Sequence, residues 1–175
     1  LHRLPPDARA TAPAEVDLLL AAEESADLAG DFDGAAALVE RGRSLIDPAT
    51  DPLQAATLES RLGYHRWLAG RSAGAVAHHE RAVQLVPAEP PSLLQSRVLR
   101  GLGGALMGIG RYRESVPVCE AAIEAARAAD APIEEGRALD MLGVDLVGIG
   151  EIERGIEALQ AACALARLHD PGEGL

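Results

Sequence analysis

Apolar residues recur along this chain at helical spacing, and glycines interrupt the pattern at regular intervals. Ile152, Ile156, Leu159 and Cys163 share one helical face, as do Val116, Cys119 and Ile123, with Glu and Arg filling the positions between. No stretch alternates as a half-buried strand would. The segments Leu28-Ala-Gly30, Leu68-Ala-Gly70, Gly108-Ile-Gly110 and Gly148-Ile-Gly150 place a glycine every forty residues. Seven residues before the last three of these stand Gly63, Gly103 and Gly143, each preceded by Leu62, Leu102 or Leu142. Ala35, Ala75, Ser115 and Gly155 follow five residues after the markers, and Gly42, Ala82, Ala122 and Ala162 twelve after, all of them small.

A glycine that closes an apolar-periodic stretch supplies the left-handed residue that ends a helix, and a polar residue after it, such as Asp31, begins the next. Each marker therefore predicts a tight turn between antiparallel helices. Small residues on either side let the two backbones approach to the short end of the usual interaxial range of about 8 to 10 Å. Pro48, Pro52, Pro87, Pro90, Pro91, Pro132 and Pro171 fall between the predicted hairpins, where proline stops one helix and starts another. Pro117 is expected in the first turn or so of its helix. The reading is four hairpins, at about 14–29 with 32–46, 52–69 with 72–86, 92–109 with 112–129, and 133–149 with 152–168.

These features resemble the tetratricopeptide repeat, with Leu-Gly in the first helix, Gly at the turn, two small packing points in the second helix and Pro after it. Glu80-Arg-Ala-Val-Gln-Leu-Val-Pro87 matches that second-helix ending closely. The period exceeds the usual length, the consensus aromatics are mostly Leu, and the first hairpin has Glu23 where the others have Gly. The resemblance implies an all-α, right-handed superhelix over 13–170, with repeats at about 13–48, 51–87, 91–130 and 132–169. Residues 1–12 form an N-terminal extension, and 171–175 a tail or the start of a further repeat.

Charge narrows the chemistry. Sixteen basic residues, all Arg, face twenty-seven acidic ones for a net charge of −11, which argues against broad contact with nucleic acid or an anionic membrane. The chain has no Lys and no Asn. That removes P-loops, Schiff-base chemistry and Ser-Lys pairs. No apolar run is long enough to span a membrane and the N-terminus lacks a signal-peptide pattern, so a cytoplasmic protein is expected. Cys119 and Cys163 read as buried structural thiols. The first residue is not Met and the chain stops in Asp-Pro-Gly-Glu-Gly-Leu, as an excised piece of something longer would.

Pro87-Ala-Glu-Pro-Pro-Ser92, Arg111-Tyr-Arg-Glu-Ser115 and Gly136-Arg-Ala-Leu-Asp-Met-Leu-Gly-Val-Asp-Leu146 look like the repeat region of large ATP-binding LuxR-type regulators, relatives of the MalT activator. That resemblance implies the sensing arm of a protein whose ATPase and helix-turn-helix modules lie elsewhere. The rival reading is a stand-alone adaptor binding an acidic or amphipathic peptide.

No nucleophile-base constellation stands out, so no enzymatic activity, cofactor or metal is expected. The Gly101–Gly104 and Gly108–Gly110 runs follow no strand and read as packing and turn glycines. His78 and His79 point about 100° apart on a helix, His78 to solvent and His79 into packing. Glu23, Glu24, Glu134 and Glu135 suit helix starts or polar faces. In stacked repeats the first helices line a concave groove. The consensus positions transfer to Ser60, Arg61, Tyr64 and Trp67, to Arg97, Arg100, Gly104 and Met107, and to Arg137, Asp140, Met141 and Val144. An arginine-rich groove with Trp67, Met107 and Met141 would take a carboxylate or phosphate together with an apolar group. The partner would be a protein, a peptide, a small inducer or another domain of the same parent chain. In the plainer alternative these arginines are solvated or pair with acids such as Glu59 and Asp140. Leu159, Cys163, Leu165 and Leu168 should need a cover, from a fifth repeat or from a second copy of the chain.

Overall fold

The computed structural model describes residues 12–169, so the extension expected at 1–12 (apart from Ala12) and the tail at 171–175 lie outside the described residues. Eight helices run in order: α1 (Ala12–Leu28), α2 (Phe32–Arg43), α3 (Pro52–Leu68), α4 (Ser72–Leu85), α5 (Leu93–Gly108), α6 (Tyr112–Ala128), α7 (Pro132–Gly148) and α8 (Ile152–His169). No strand occurs among the described residues. The architecture is an all-α, tetratricopeptide-like solenoid of four helical hairpins.

The four turns are built alike. Gly30, Gly70, Gly110 and Gly150 have φ of 76°, 75°, 77° and 89°, the left-handed conformation that glycine adopts without steric cost. In each turn the amide after the glycine reaches back to a carbonyl five residues earlier: Asp31 to Ala26, Arg71 to Arg66, Arg111 to Leu106 and Glu151 to Leu146, at 2.8 to 2.9 Å. This bond satisfies a carbonyl that the ending helix would leave bare. Helix starts have their own caps. The Asp31 and Asp51 carboxylates accept from the amides of Gly34 and Gln54. Ser92 and Gln95 form a reciprocal capping box, and Pro52 and Pro132 open α3 and α7.

Two expectations shift here. Helix α2 ends at Arg43, not near residue 46: the amides of Leu45 and Ile46 bond three residues back, to Gly42 and Arg43, instead of four. Pro117 lies in the second turn of α6. There it removes a donor that an i−4 carbonyl would have taken, with the ring on the exposed side of the helix.

Each helix packs on the next in chain order, and the first helices α3, α5 and α7 also touch one another. Core clusters bridge three helices at a time. Val16, Val39, Leu58 and Leu62 join α1, α2 and α3; Cys119, Ile123, Leu139, Leu142 and Ala162 join α6, α7 and α8. The small residues sit where helices press closest. A Cβ on Gly103 would lie 2.7 Å from Cys119 Sγ, and one on Gly143 would lie 2.6 Å from Leu159 Cγ.

The outer side of α8 differs from α6, its equivalent one repeat back. Ile123 and Ala126 of α6 are buried, whereas Cys163 and Ala166, forty residues later, are exposed. Leu159 and Leu165, expected to be bare, are half-buried against α7, while Leu168 is 72% exposed. The expectation of a buried thiol therefore fails for Cys163: no described helix lies beyond α8 to cover it. Cys119 is buried, and that burial pushes its thiol up to about 12. Iodoacetamide should modify Cys163 in the native protein within minutes and leave Cys119 untouched until the chain unfolds, as mass spectrometry of the two tryptic peptides would show. Equal labelling of both would contradict this packing.

Candidate functional site

A groove of about 900 Å³ runs along the first helices. Its wall includes Arg61, Tyr64 and Trp67 from α3, Arg97, Arg100 and Met107 from α5, and Arg137 and Met141 from α7. Ser60 and Gly104 lie on the same wall. Two of the residues expected there do not. Asp140 lines a neighbouring recess with Arg137, Met141 and Cys163, and Val144 is exposed outside both.

The groove is shaped by glycines opposite large rings. Trp67 lies over Gly108, where a Cβ would come within 2.6 Å of the indole Nε1, yet the indole stays 39% exposed. Tyr64, at 45%, is exposed beside it. His79 fills the floor between α3 and α5: a Cβ on either Gly63 or Gly101 would meet its imidazole at 2.7 Å. Burial, followed by the nearby His78 and Arg100, lowers the His79 pKa to about 4, so the ring is neutral at pH 7. Its Nδ1 has no hydrogen-bond partner. Its neighbour His78 is not solvated as expected. Its Nδ1 lies 2.7 Å from Glu59 Oε2, and desolvation lowers its pKa against the pull of that carboxylate.

The arginines are neither bare nor paired as anticipated. Glu134, 4% exposed, receives Arg100 Nε at 3.0 Å and Arg137 Nη1 at 2.9 Å, with Arg97 Nε at 3.5 Å. Burial opposes its ionisation, but the three guanidinium groups together hold its carboxyl below the usual range. Glu134 was expected near a helix start or on a polar face, and it does lie in the first turn of α7. There it is also the buried counter-ion of the groove's basic wall, in place of Asp140. Arg61 pairs with Glu23 and Glu24 of α1, while Glu59 takes Arg43, His78 and Arg81. Glu23 occupies the position where later repeats hold Gly63, Gly103 and Gly143, and it is buried against His65 and Arg61.

The role of Glu134 as a shared partner of three arginines was not expected from the sequence. The available signal was departure from the repeat: Glu134 stands where the two preceding repeats have Leu94 and Gln54. A charge at a position that carries none in the preceding repeats requires a partner if it is buried.

A second polar group is sealed in the core. Ser115, Cys119 and Asp145 are fully buried, with Ser115 Oγ donating to Gly103 O at 2.9 Å and Cys119 Sγ 3.6 Å from Asp145 Oδ2. With its thiol pushed up to about 12 and no path to solvent, Cys119 is a poor nucleophile. Among the described residues no group of three or more His, Cys, Asp or Glu is arranged to hold a metal ion, and no helix is long and apolar enough to cross a membrane.

No protein-family model matches this sequence, and no curated protein matches it. Solved structures do resemble it. BtubC (BKLC) from P. vanneervenii superposes with a TM-score of 0.77 at 13% identity, covering 96% of this chain and 69% of that chain. MamA from Desulfovibrio magneticus RS-1 gives 0.63 at 23% identity over 86% of this chain and 75% of that chain. A putative kinesin light chain from Podospora anserina, with nearly identical TPR-like repeats, gives 0.56 at 13% identity over 94% of this chain and 100% of that one. At these identities the likeness defines the fold: a tetratricopeptide-like helical repeat.

Proposed function

We propose that this chain is a non-catalytic interaction module, a tetratricopeptide-like adaptor whose groove takes an acidic or amphipathic segment of a partner protein. One observation carries the reading. Three guanidinium groups share the single buried carboxylate of Glu134, so the α5/α7 wall holds two positive charges in excess beside the exposed rings of Tyr64 and Trp67. Forked donors of this kind suit a carboxylate or phosphate, and the rings and Met107 suit an apolar side chain. The groove is open and crosses all four first helices, which favours an extended segment over a small inducer. The adaptor reading also agrees better with the solved structures named above than does the arm of a LuxR-type regulator, which none of those structures supports.

The test is binding of fluorescein-labelled acidic and amphipathic peptides by anisotropy, with circular dichroism as the control for folding. Arg97→Gln together with Arg137→Gln should weaken binding about tenfold or more. Gln is chosen over Glu because an acid there would face Glu134. Undiminished binding by a folded double variant overturns the proposal.

A further inference from the structure

The groove has a second charged end. On the α1 side its wall carries Glu23, Glu24 and Asp27. Arg61 is the one guanidinium among the described residues within ion-pair distance of this group, and it is held by Glu23 and Glu24. Asp27 faces only an imidazole, with His65 Nδ1 at 3.6 Å from its Oδ1.

That imidazole shows what this end lacks. His65 has no exposed surface, and its Nε2 meets Glu23. Burial opposes the ionisation of Glu23, but His65 and Arg61 hold its carboxyl below the ordinary range. An ionised carboxylate only accepts, so the His65 Nε2 carries the hydrogen. The other ring nitrogen, Nδ1, is turned toward Asp27 Oδ1 at 3.6 Å, beyond hydrogen-bond reach. Both atoms are buried and neither has a hydrogen-bond partner. A buried polar atom left unmet is costly, and this end of the groove leaves two.

The spacing of the two ends follows from helix packing. Neighbouring first helices lie about 10 Å apart, so α1 and α5 set the acidic and basic walls about 20 Å apart. An extended chain covers that distance in about six residues. Tyr64 stands between the ends: burial and the charges of Asp27 and Glu23 raise its phenol pKa while Arg100 works in the opposite direction.

We propose that the acidic end is a cation-accepting subsite, centred on Asp27 and Glu24, so that the groove's ligand is an extended segment carrying a Lys or Arg about six residues from a carboxylate. The proposal rests on the groove reading above and adds the cationic half of the ligand. Apolar side chains between the two charges would lie over Tyr64 and Trp67, on the same side of the extended chain as both charges.

The probe is the peptide Lys-Ala-Leu-Ala-Phe-Ala-Glu, capped at both ends, beside an acid-only version with Ala for Lys. Both are titrated into the full chain, into Glu24→Gln/Asp27→Asn and into Arg97→Gln/Arg137→Gln. Asp27→Asn is chosen because it keeps the shape of the side chain while removing its charge, so the fold should hold; circular dichroism checks this. The two-charge peptide should bind about tenfold tighter than the acid-only one. That advantage should vanish in Glu24→Gln/Asp27→Asn, while the acid-only peptide binds this variant and the unaltered chain alike. Equal binding of the two peptides to the unaltered chain, or an advantage that survives Glu24→Gln/Asp27→Asn, overturns the subsite and leaves the groove reading standing. Binding of both peptides unaffected by Arg97→Gln/Arg137→Gln overturns the groove reading and this subsite together.

Discussion

Gly143→Leu should lower the melting temperature by about 6 to 12 °C, the equivalent of about 3 kcal/mol. At this crossing of α7 and α8 a Cβ would meet Leu159 Cγ at 2.6 Å and the backbone oxygen of Gly155 at 2.9 Å. A side chain can swing aside, but a carbonyl inside a helix moves only with the helix. The hairpin would have to open, and Leu139, Leu142 and Ala162 would lose contact across it. Leu favours helix over Gly by nearly 1 kcal/mol, so a net loss would show that packing outweighs propensity. Gly74→Ala is the control. Its nearest neighbour would be Arg66 Cδ at 3.9 Å, and the variant should be as stable as the unaltered chain or more stable by up to about 1 kcal/mol. Thermal melts of both variants followed at 222 nm decide the matter. If Gly143→Leu melts with the unaltered protein, the crossing is looser than described.

That crossing also shows what the chain made legible. The glycines that recur at forty-residue intervals are demanded by backbone geometry: left-handed turns at Gly30, Gly70, Gly110 and Gly150, and close approach at Gly63, Gly103 and Gly143. Constraints of this kind repeat with the architecture, so period alone reveals them. Groove-facing positions repeat for the same reason, which is how Arg61, Trp67, Arg97 and Arg137 could be placed on one wall. Glu134, Glu23 and His65 are different. Each satisfies a partner on a neighbouring first helix: Glu134 of α7 with Arg100 of α5, and Glu23 of α1 with Arg61 and His65 of α3. Such pairs depend on which side chains meet across repeats, and periodicity does not encode that. Cys163 was misplaced for the opposite reason: the repeat predicted burial, and among the described residues no further helix follows to provide it.

Asp145 breaks the pattern in a way that has a thermodynamic signature. Its register position holds His65 and Ala105 in the two preceding repeats. In α7 it is a carboxyl with no exposed surface, and its Oδ1 has no hydrogen-bond partner. Burial raises its pKa above the model-peptide value of 3.8, against smaller lowering contributions from Ser115 and Cys119. The direction of the pH effect follows. Well below pH 3.8 the carboxyl is protonated in both folded and unfolded chains and carries no charge penalty. As pH rises from there toward the higher folded-state value, the unfolded chain releases its proton first, so unfolding gains and stability falls. Above the folded value both states are ionised and the full penalty remains. Asp145→Asn keeps the shape and removes the charge, so at pH 7 it should stabilise the fold by about 1 to 3 kcal/mol. The gain should shrink as pH is lowered toward 3.8. Urea unfolding of the variant and the unaltered chain at a series of pH values measures the difference directly. A variant that is less stable at pH 7, or a difference that stays flat across the series, would mean that Asp145 has a partner or a water path that this packing does not show.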